Sequence, residues 1–239
     1  ERSTLADGTQ VFRFAMRDLR RDQPEIRRPR RTELEPVVRM TTYRDWDQFA
    51  AWWWNLIKDQ LEVTPAMRAT VQKRCEGLPT VEAKIRALYH FVTTDVRYEA
   101  WEFGVHGYKP YSTGVIHERR HGDCKDKALL LCALLGEIGV QCHPVLIFAD
   151  PLRSNDDLTL PLVQQFNHCI AWLPPQDGRP GRFLDGTATW HPSDTLPDMD
   201  QGASVLIVDR GRAELREVPW TTPDVNVDRQ TFHVQLAAD

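Results

Sequence analysis

The stretch His121-Gly122-Asp123-Cys124-Lys125-Asp126-Lys127-Ala128 leads straight into Leu129-Leu130-Leu131-Cys132-Ala133-Leu134-Leu135. A glycine–acid step hands over to a strongly apolar run. Ala128, Leu129, Leu131, Cys132, Leu134, Leu135 and Ile138 recur at helical spacing, and Gly139 supplies the stop. The pattern predicts a central helix that begins at or just before Cys124. A cysteine at such a place is a candidate nucleophile. A thiol attacks carbonyls as thiolate, and that form is favoured by a helix N-terminus, by nearby cations and by an imidazole partner. Lys125 and Lys127 add positive charge close by, partly offset by Asp123 and Asp126. The same helix start can aim the Cys124 N–H at a developing oxyanion, and Gly122 lets a substrate approach the backbone closely.

The base and its orienting acid are sought downstream. Phe166-Asn167-His168-Cys169-Ile170-Ala171-Trp172 reads as a strand with His168 near its start. Arg182-Phe183-Leu184-Asp185-Gly186-Thr187 puts an acid at the end of the next strand. In an antiparallel hairpin the end of one strand lies beside the start of the other, so Asp185 and His168 become neighbours. Each element alone is weak, because a strand histidine is most often structural and Asp-Gly is most often a turn. Their conjunction in the order Cys124, His168, Asp185 is the nucleophile–base–acid arrangement of covalent acyl transfer.

The rest of the chain bounds this reading. Its 239 residues are 41% hydrophobic and 27% charged, enough for one sizeable core with or without a smaller module. A net charge of -4 and a pI of about 6.1 offer no electrostatic reason to expect a nucleic-acid partner. No apolar run approaches the roughly 20 residues of a bilayer-spanning helix. Glu1-Arg2-Ser3-Thr4-Leu5 has neither an initiator Met nor the apolar core of a signal peptide, so the chain reads as a piece of a longer one. An export signal ahead of it would place the protein in the periplasm or cell envelope.

Helices precede strands. Phe49, Trp52, Trp53, Leu56 and Ile57 mark a helix over 45–61, whose Trp52-Trp53-Trp54 cluster reads as core packing rather than a sugar platform. Thr64-Pro65 and Thr80 are helix starts. Residues 96–118 read as a long loop with short extended pieces, of the length that is often functional. Strands are expected at 11–16, 36–41, 143–148, 168–173, 182–185, 205–208 and 231–236, with a polar excursion at 150–165. Consecutive helices followed by consecutive strands predict an α+β fold with an antiparallel sheet. The expected organisation is the tail of a β-rich module over 1–42, a core over 43–218 and a C-terminal extension, or the start of a further β module, over 219–239.

Other groups in the chain carry weaker signals. The basic, proline-punctuated segment 20–31 suits an anionic partner, but it lacks interleaved aromatics and reads as a solvated linker. Cys75, Cys132 and Cys142 read as small buried hydrophobes, and five cysteines leave at least one unpaired. His117-x3-His121-x2-Cys124 has a spacing open to zinc, but that reading leaves His168 and Asp185 idle. His117 and His121 are instead expected as exposed loop residues, with no metal and no cofactor required. Tyr98, Trp101, Tyr108 and Lys109 stand as either second oxyanion donors or groove lining.

The runs Gly122-Asp123-Cys124-Lys125-Asp126-Lys127-Ala128, Phe166-Asn167-His168 and Leu184-Asp185-Gly186-Thr187 resemble the bacterial transglutaminase-like superfamily. With Arg97-Tyr98 and Gly107-Tyr108-Lys109-Pro110, they resemble the branch whose core follows a DUF3857-type β-sandwich. The resemblance spans roughly residues 45–210. It implies a papain-like core and a catalytic triad of Cys124, His168 and Asp185. It further implies chemistry on peptide or glutamine-type amides of a protein or peptide substrate, through a thioester. Peptidases, amidases, cross-linking transglutaminases and inactive relatives all share that fold, so the reaction stays open. Hydrolysis is the preferred reading because water is always available. Cross-linking, or a residual module that binds peptide or cell-wall polymer, are the alternatives. Some related cysteine proteases bind calcium through acids on both sides of the nucleophile, and Lys125 here does not suit that.

Overall fold

The computed structural model describes all residues except 20, 22–24, 27, 29, 30, 153–156, 225, 226, 228 and 236–239. The chain opens with a two-stranded antiparallel hairpin, β1 (Arg2–Thr4) and β2 (Gln10–Phe12), and a single helical turn, α1 (Arg31–Leu34). Helices α2 (Trp46–Ile57), α3 (Pro65–Cys75) and α4 (Val81–His90) follow. Each starts where an oxygen-bearing side chain satisfies an orphan amide. The Gln48 N–H donates to Asp45 at 2.8 Å, the Met67 N–H to Thr64 at 3.2 Å and the Ala83 N–H to Thr80 at 3.1 Å.

Next come β3 (Arg97–Tyr98), α5 (Thr113–Arg119) and β4 (His121–Gly122), with β3 and β4 pairing in parallel. The central helix α6 (Cys124–Gly136) begins at Cys124, and every residue from Cys124 to Leu135 is buried. Such a helix is apolar around its whole circumference because it has two cores to serve. Leu130, Leu131, Leu134 and Leu135 pack with Ile85, Leu88 and Val92. Cys124, Ala128 and Leu129 pack with Phe49, Trp53 and Ile57 of α2.

Strands β5 (His143–Ile147), β6 (His168–Leu173), β7 (Arg182–Leu184), β8 (Ser204–Asp209) and β9 (Arg212–Glu217) form one antiparallel sheet in the order β7-β6-β5-β8-β9. Its residues alternate between two buried faces. Leu206 and Val208 meet the α2 core, while Val145, Ile147, Ile170, Trp172, Val205 and Ile207 form a third core on the other side. The fold is thus α+β, with helices on an antiparallel sheet and Cys124 opening the central helix.

Several local expectations change. Residues 96–118 hold a helix, α5, capped by Ser112, and not only loop. Strand β9, charged and largely exposed, forms the sheet edge, where polar side chains block further pairing. It is reached through Arg210 and Gly211, both at positive φ, as a tight hairpin turn requires. Residues 36–41 and 231–235 adopt no strand, and Leu236 lies outside the described residues. Val37, Val38, Met40, Phe232 and Val234 are exposed there, so alternation met no partner strand. Part of the basic segment 20–31 and of the excursion 150–165 also lies outside the described residues. Among the described residues no helix is long and apolar enough to cross a membrane.

Gly122 is required by packing rather than by its own backbone angle. A Cβ there would stand 2.7 Å from the Cβ of Asp126. Gly122→Ala is expected to destabilise the protein by about 1–3 kcal/mol, as overpacking does. Denaturant unfolding measures it, and an unchanged midpoint would mean that the helix start has slack.

Candidate active site

Cys124 is the first residue of α6, directly after the N-cap Asp123. The cap is reciprocal: the Asp126 N–H donates to Asp123 at 3.2 Å, and the Asp123 N–H donates to Asp126 at 3.2 Å. Asp126 is tied down further by the Tyr111 N–H at 2.8 Å and by Arg119 at 3.2 Å. Burial and the neighbouring Asp123 push the Asp126 carboxyl up to about 6. The first amides of a helix have no intrahelical acceptor, so the Cys124 N–H is free to serve an anion beside the sulfur.

Cys124 and His168 line one cleft of about 240 Å³, together with Phe49, Trp53, Tyr108 and Glu102. His168 opens β6, and Asp185 follows β7 directly. The register Ala171–Leu184, Trp172–Phe183, Leu173–Arg182 brings Asp185 back along β6 toward His168. His168 Nε2 lies 3.2 Å from Asp185 Oδ2. That contact engages Nε2 and leaves Nδ1 as the second ring nitrogen. The other Asp185 oxygen accepts from the Thr187 N–H at 2.7 Å and from the Thr187 hydroxyl at 2.7 Å, which fixes the carboxylate.

Burial alone would lower the His168 pKa, but hydrogen bonding to Asp185 and Cys124 outweighs it and raises the value to about 11. Burial likewise works against the Asp185 carboxylate, yet His168 and Thr187 hold it below its usual range. The two directions agree on a buried pair that favours imidazolium and carboxylate.

The flanking lysines have separate tasks. Lys125 lines the cleft, hydrogen-bonds Asp123 and lies 3.8 Å from Glu102. Lys127 is no cation for the thiol, contrary to expectation. Its ammonium donates to the Val96 carbonyl at 2.6 Å in the interior, and burial lowers its pKa to about 8. His117 is likewise not an exposed loop residue. It is buried in α5, with Nε2 2.8 Å from the Thr70 hydroxyl, while His121 pairs with Glu99 at 3.0 Å. The two histidines therefore point to different partners.

Tyr108 lines the cleft, and its carbonyl accepts from the Trp53 indole at 3.0 Å. Burial, then the fields of Cys124, Asp123 and Glu102, push the Tyr98 phenol well up. Trp101 rests against the His121 ring instead.

One acid escaped the sequence reading. Asp200 is fully buried, and its carboxylate, one His168 nitrogen and an Asp185 oxygen lie within 4.8 Å of one another. Among the described residues this is the group that could hold a metal ion. Asp200 sits in a turn of Pro197-Asp198-Met199-Asp200, where an acid normally signals only a loop.

Residues 68–173 match the family model described as the transglutaminase-like superfamily. No curated protein matches the chain. A solved structure described as a "putative protease" from Parabacteroides distasonis ATCC 8503 has a TM-score of 0.54 at 12% identity, over 75% of this chain and 32% of its own. A second, a "putative cysteine protease" from Cytophaga hutchinsonii, has a TM-score of 0.39 at 14% identity, over 67% of this chain and 53% of its own. The chain therefore spans about a third of the first structure's length. The fold is transglutaminase-like.

The raised His168 pKa has a direct consequence for stability. The folded state holds that proton up to about pH 11, whereas a free imidazole releases it near 6.5. The contribution is complete below the unfolded value and is lost as pH rises through the folded one. The stability difference between wild type and Asp185→Asn is therefore expected to narrow as pH climbs from 6.5 toward 11. NMR titration of His168 should show imidazolium at pH 8 in wild type and a lower midpoint in Asp185→Asn. An unchanged midpoint would show that Asp185 does not hold the imidazole.

Proposed function

We propose that the protein is a cysteine-dependent acyl-transfer enzyme acting on peptide or glutamine-type amides, with Cys124 as nucleophile, His168 as base and Asp185 as orienting acid. One observation carries the reading. A histidine bonded to a buried carboxylate at 3.2 Å shares a cleft with a cysteine at the start of a buried helix. The transglutaminase-like family model over 68–173 supports the class.

In this reading His168 already holds the proton as imidazolium beside the Cys124 thiolate, and Sγ adds to the amide carbon. The oxygen takes up negative charge against the Cys124 N–H. Collapse of the adduct breaks the C–N bond, and His168 returns the proton to the departing amine, which leaves a thioester. Asp185 stabilises the imidazolium while it lasts and keeps Nδ1 facing the sulfur. His168 then takes a proton from water, whose oxygen attacks the thioester and releases the acid. An amine in place of water would form a new amide instead. Hydrolysis is the preferred outcome because water is always present. The first residues of the chain, with the hairpin β1–β2, are read as the end of a DUF3857-type β-sandwich.

Iodoacetamide at mildly acidic pH is expected to label Cys124 ahead of Cys75, Cys132, Cys142 and Cys169, and His168→Ala should slow that labelling. Equal labelling of all five would overturn the activated pair. His168→Ala is expected to lower amide turnover by roughly 10²–10⁴-fold, as loss of a general base does. Incorporation of a fluorescent amine into a glutamine-bearing protein, abolished by Cys124→Ala, would replace hydrolysis with transamidation.

A further inference from the structure

A second pair of cysteines lies away from the cleft. Cys132 is on α6, eight residues past Cys124 and thus about 12 Å along the helix at 1.5 Å per residue. Cys142 stands immediately before β5. Their sulfurs are 3.0 Å apart, and both are free thiols. An S–S bond is about 2.04 Å, so an approach of roughly 1 Å would close it.

The backbone makes this approach a built feature rather than a chance contact. After α6 the chain reverses at once, with the Ile138 and Val140 N–H groups both donating to the Leu135 carbonyl at 3.1 Å. Gly139, at φ 74°, takes the left-handed turn. The returning segment is then clamped. The Gln141 N–H donates to the Gln176 amide oxygen at 2.8 Å, and the Gln176 amide nitrogen donates to the Gln141 carbonyl at 3.0 Å. On its other side His143 is already paired with Trp172 in the sheet. Cys142 is therefore fixed from both directions with its sulfur against that of Cys132.

Access is also present. Cys132 and Cys142 line an open cleft of about 640 Å³ with Gly136, Gly139, His143 and Asp209. Cys142 is the more exposed of the two. Cys75 lies on α3, while Cys124, at the far end of α6, and Cys169, on β6, belong to the core beside α2.

We propose that Cys132 and Cys142 are a disulfide site, closed by exchange with a small-molecule disulfide and stapling α6 to the entry of β5. Cys142 forms the mixed disulfide first and releases one thiol of the oxidant. The Cys132 sulfur then displaces the second. The two side chains lose two hydrogens in all, and the oxidant leaves as two thiols, so electrons and protons balance. The bond closes a short loop and restrains the unfolded chain, while the folded chain already holds the geometry. It also fixes the C-terminal half of the helix that carries Cys124.

The test uses the whole chain in a glutathione redox buffer, followed by alkylation, proteolysis and mass mapping. The expected product is a Cys132–Cys142 linked peptide two hydrogens lighter than the reduced pair. Cys142→Ser should abolish it and leave Cys132 alkylatable. The oxidised form is expected to melt roughly 5–10 °C above the reduced form, and Cys142→Ser should lose that dependence on reductant. Full alkylation of both cysteines in oxidising buffer would overturn the proposal, as would a linkage of either one to Cys75, Cys124 or Cys169. Cys124→Ala should form the bond as readily as wild type, which separates this site from the proposed acyl-transfer chemistry.

Discussion

A helix that starts inside a protein brings unpaired amide donors with it, and the start of α6 has to satisfy those that do not face the cleft. The reciprocal cap between Asp123 and Asp126 does this, helped by Tyr111 and Arg119 on Asp126 and by Lys125 on Asp123. The remaining architecture depends on this solution. With its end sealed, α6 can be apolar on every side and can hold two cores apart, one toward α4 and one toward α2. The residue at the seam between cap and core is Cys124. Its position is therefore fixed by the cap that starts the central helix, which suits the proposed nucleophile.

The same logic explains the ion pair across the cleft. His168 and Asp185 lie at the ends of adjacent strands in a sheet buried on both faces, so neither can move without moving the sheet. A buried imidazolium is costly unless a carboxylate compensates it at short range. Asp185 meets that condition and is itself held by Thr187. Asp200 adds a second buried carboxyl beside the pair. The proposed chemistry thus relies on residues whose local geometry is overdetermined by packing.

What was legible beforehand follows from how local each signal is. The start of α6, the threonine caps of α3 and α4, and the strands β5 to β8 announce themselves through neighbours a few positions apart. Signals that depend on distant partners misled or stayed silent. Alternation at 36–41 and 231–236 suggested strands, but a strand exists only where another edge accepts it. The edge strand β9 was hidden because an exposed edge favours charge over alternation. Helix α5 was hidden by Gly114, which weakens a helical reading. Yet a Cβ at Gly114 would come within 2.8 Å of Thr64, so tertiary packing favours the glycine. Lys127 looked like a cation for the thiol, since sequence distance cannot tell which way a helical side chain turns.

By itself, the sequence determined the succession of helices and then strands, the place where the central helix begins, and the three residue types whose order implies a nucleophile, a base and an acid. Those are properties of short windows, set by capping chemistry and by the periods of helix and strand. It took the tertiary packing to bring Asp185 to Nε2 of His168, to set Asp200 beside them, and to turn Lys127 into the interior while Lys125 stays in the cleft. That packing also decided that Cys132 faces Cys142. Each of these depends on how segments far apart in sequence pack against one another, and burial, which sets the electrostatics of the site, exists only after that packing has occurred.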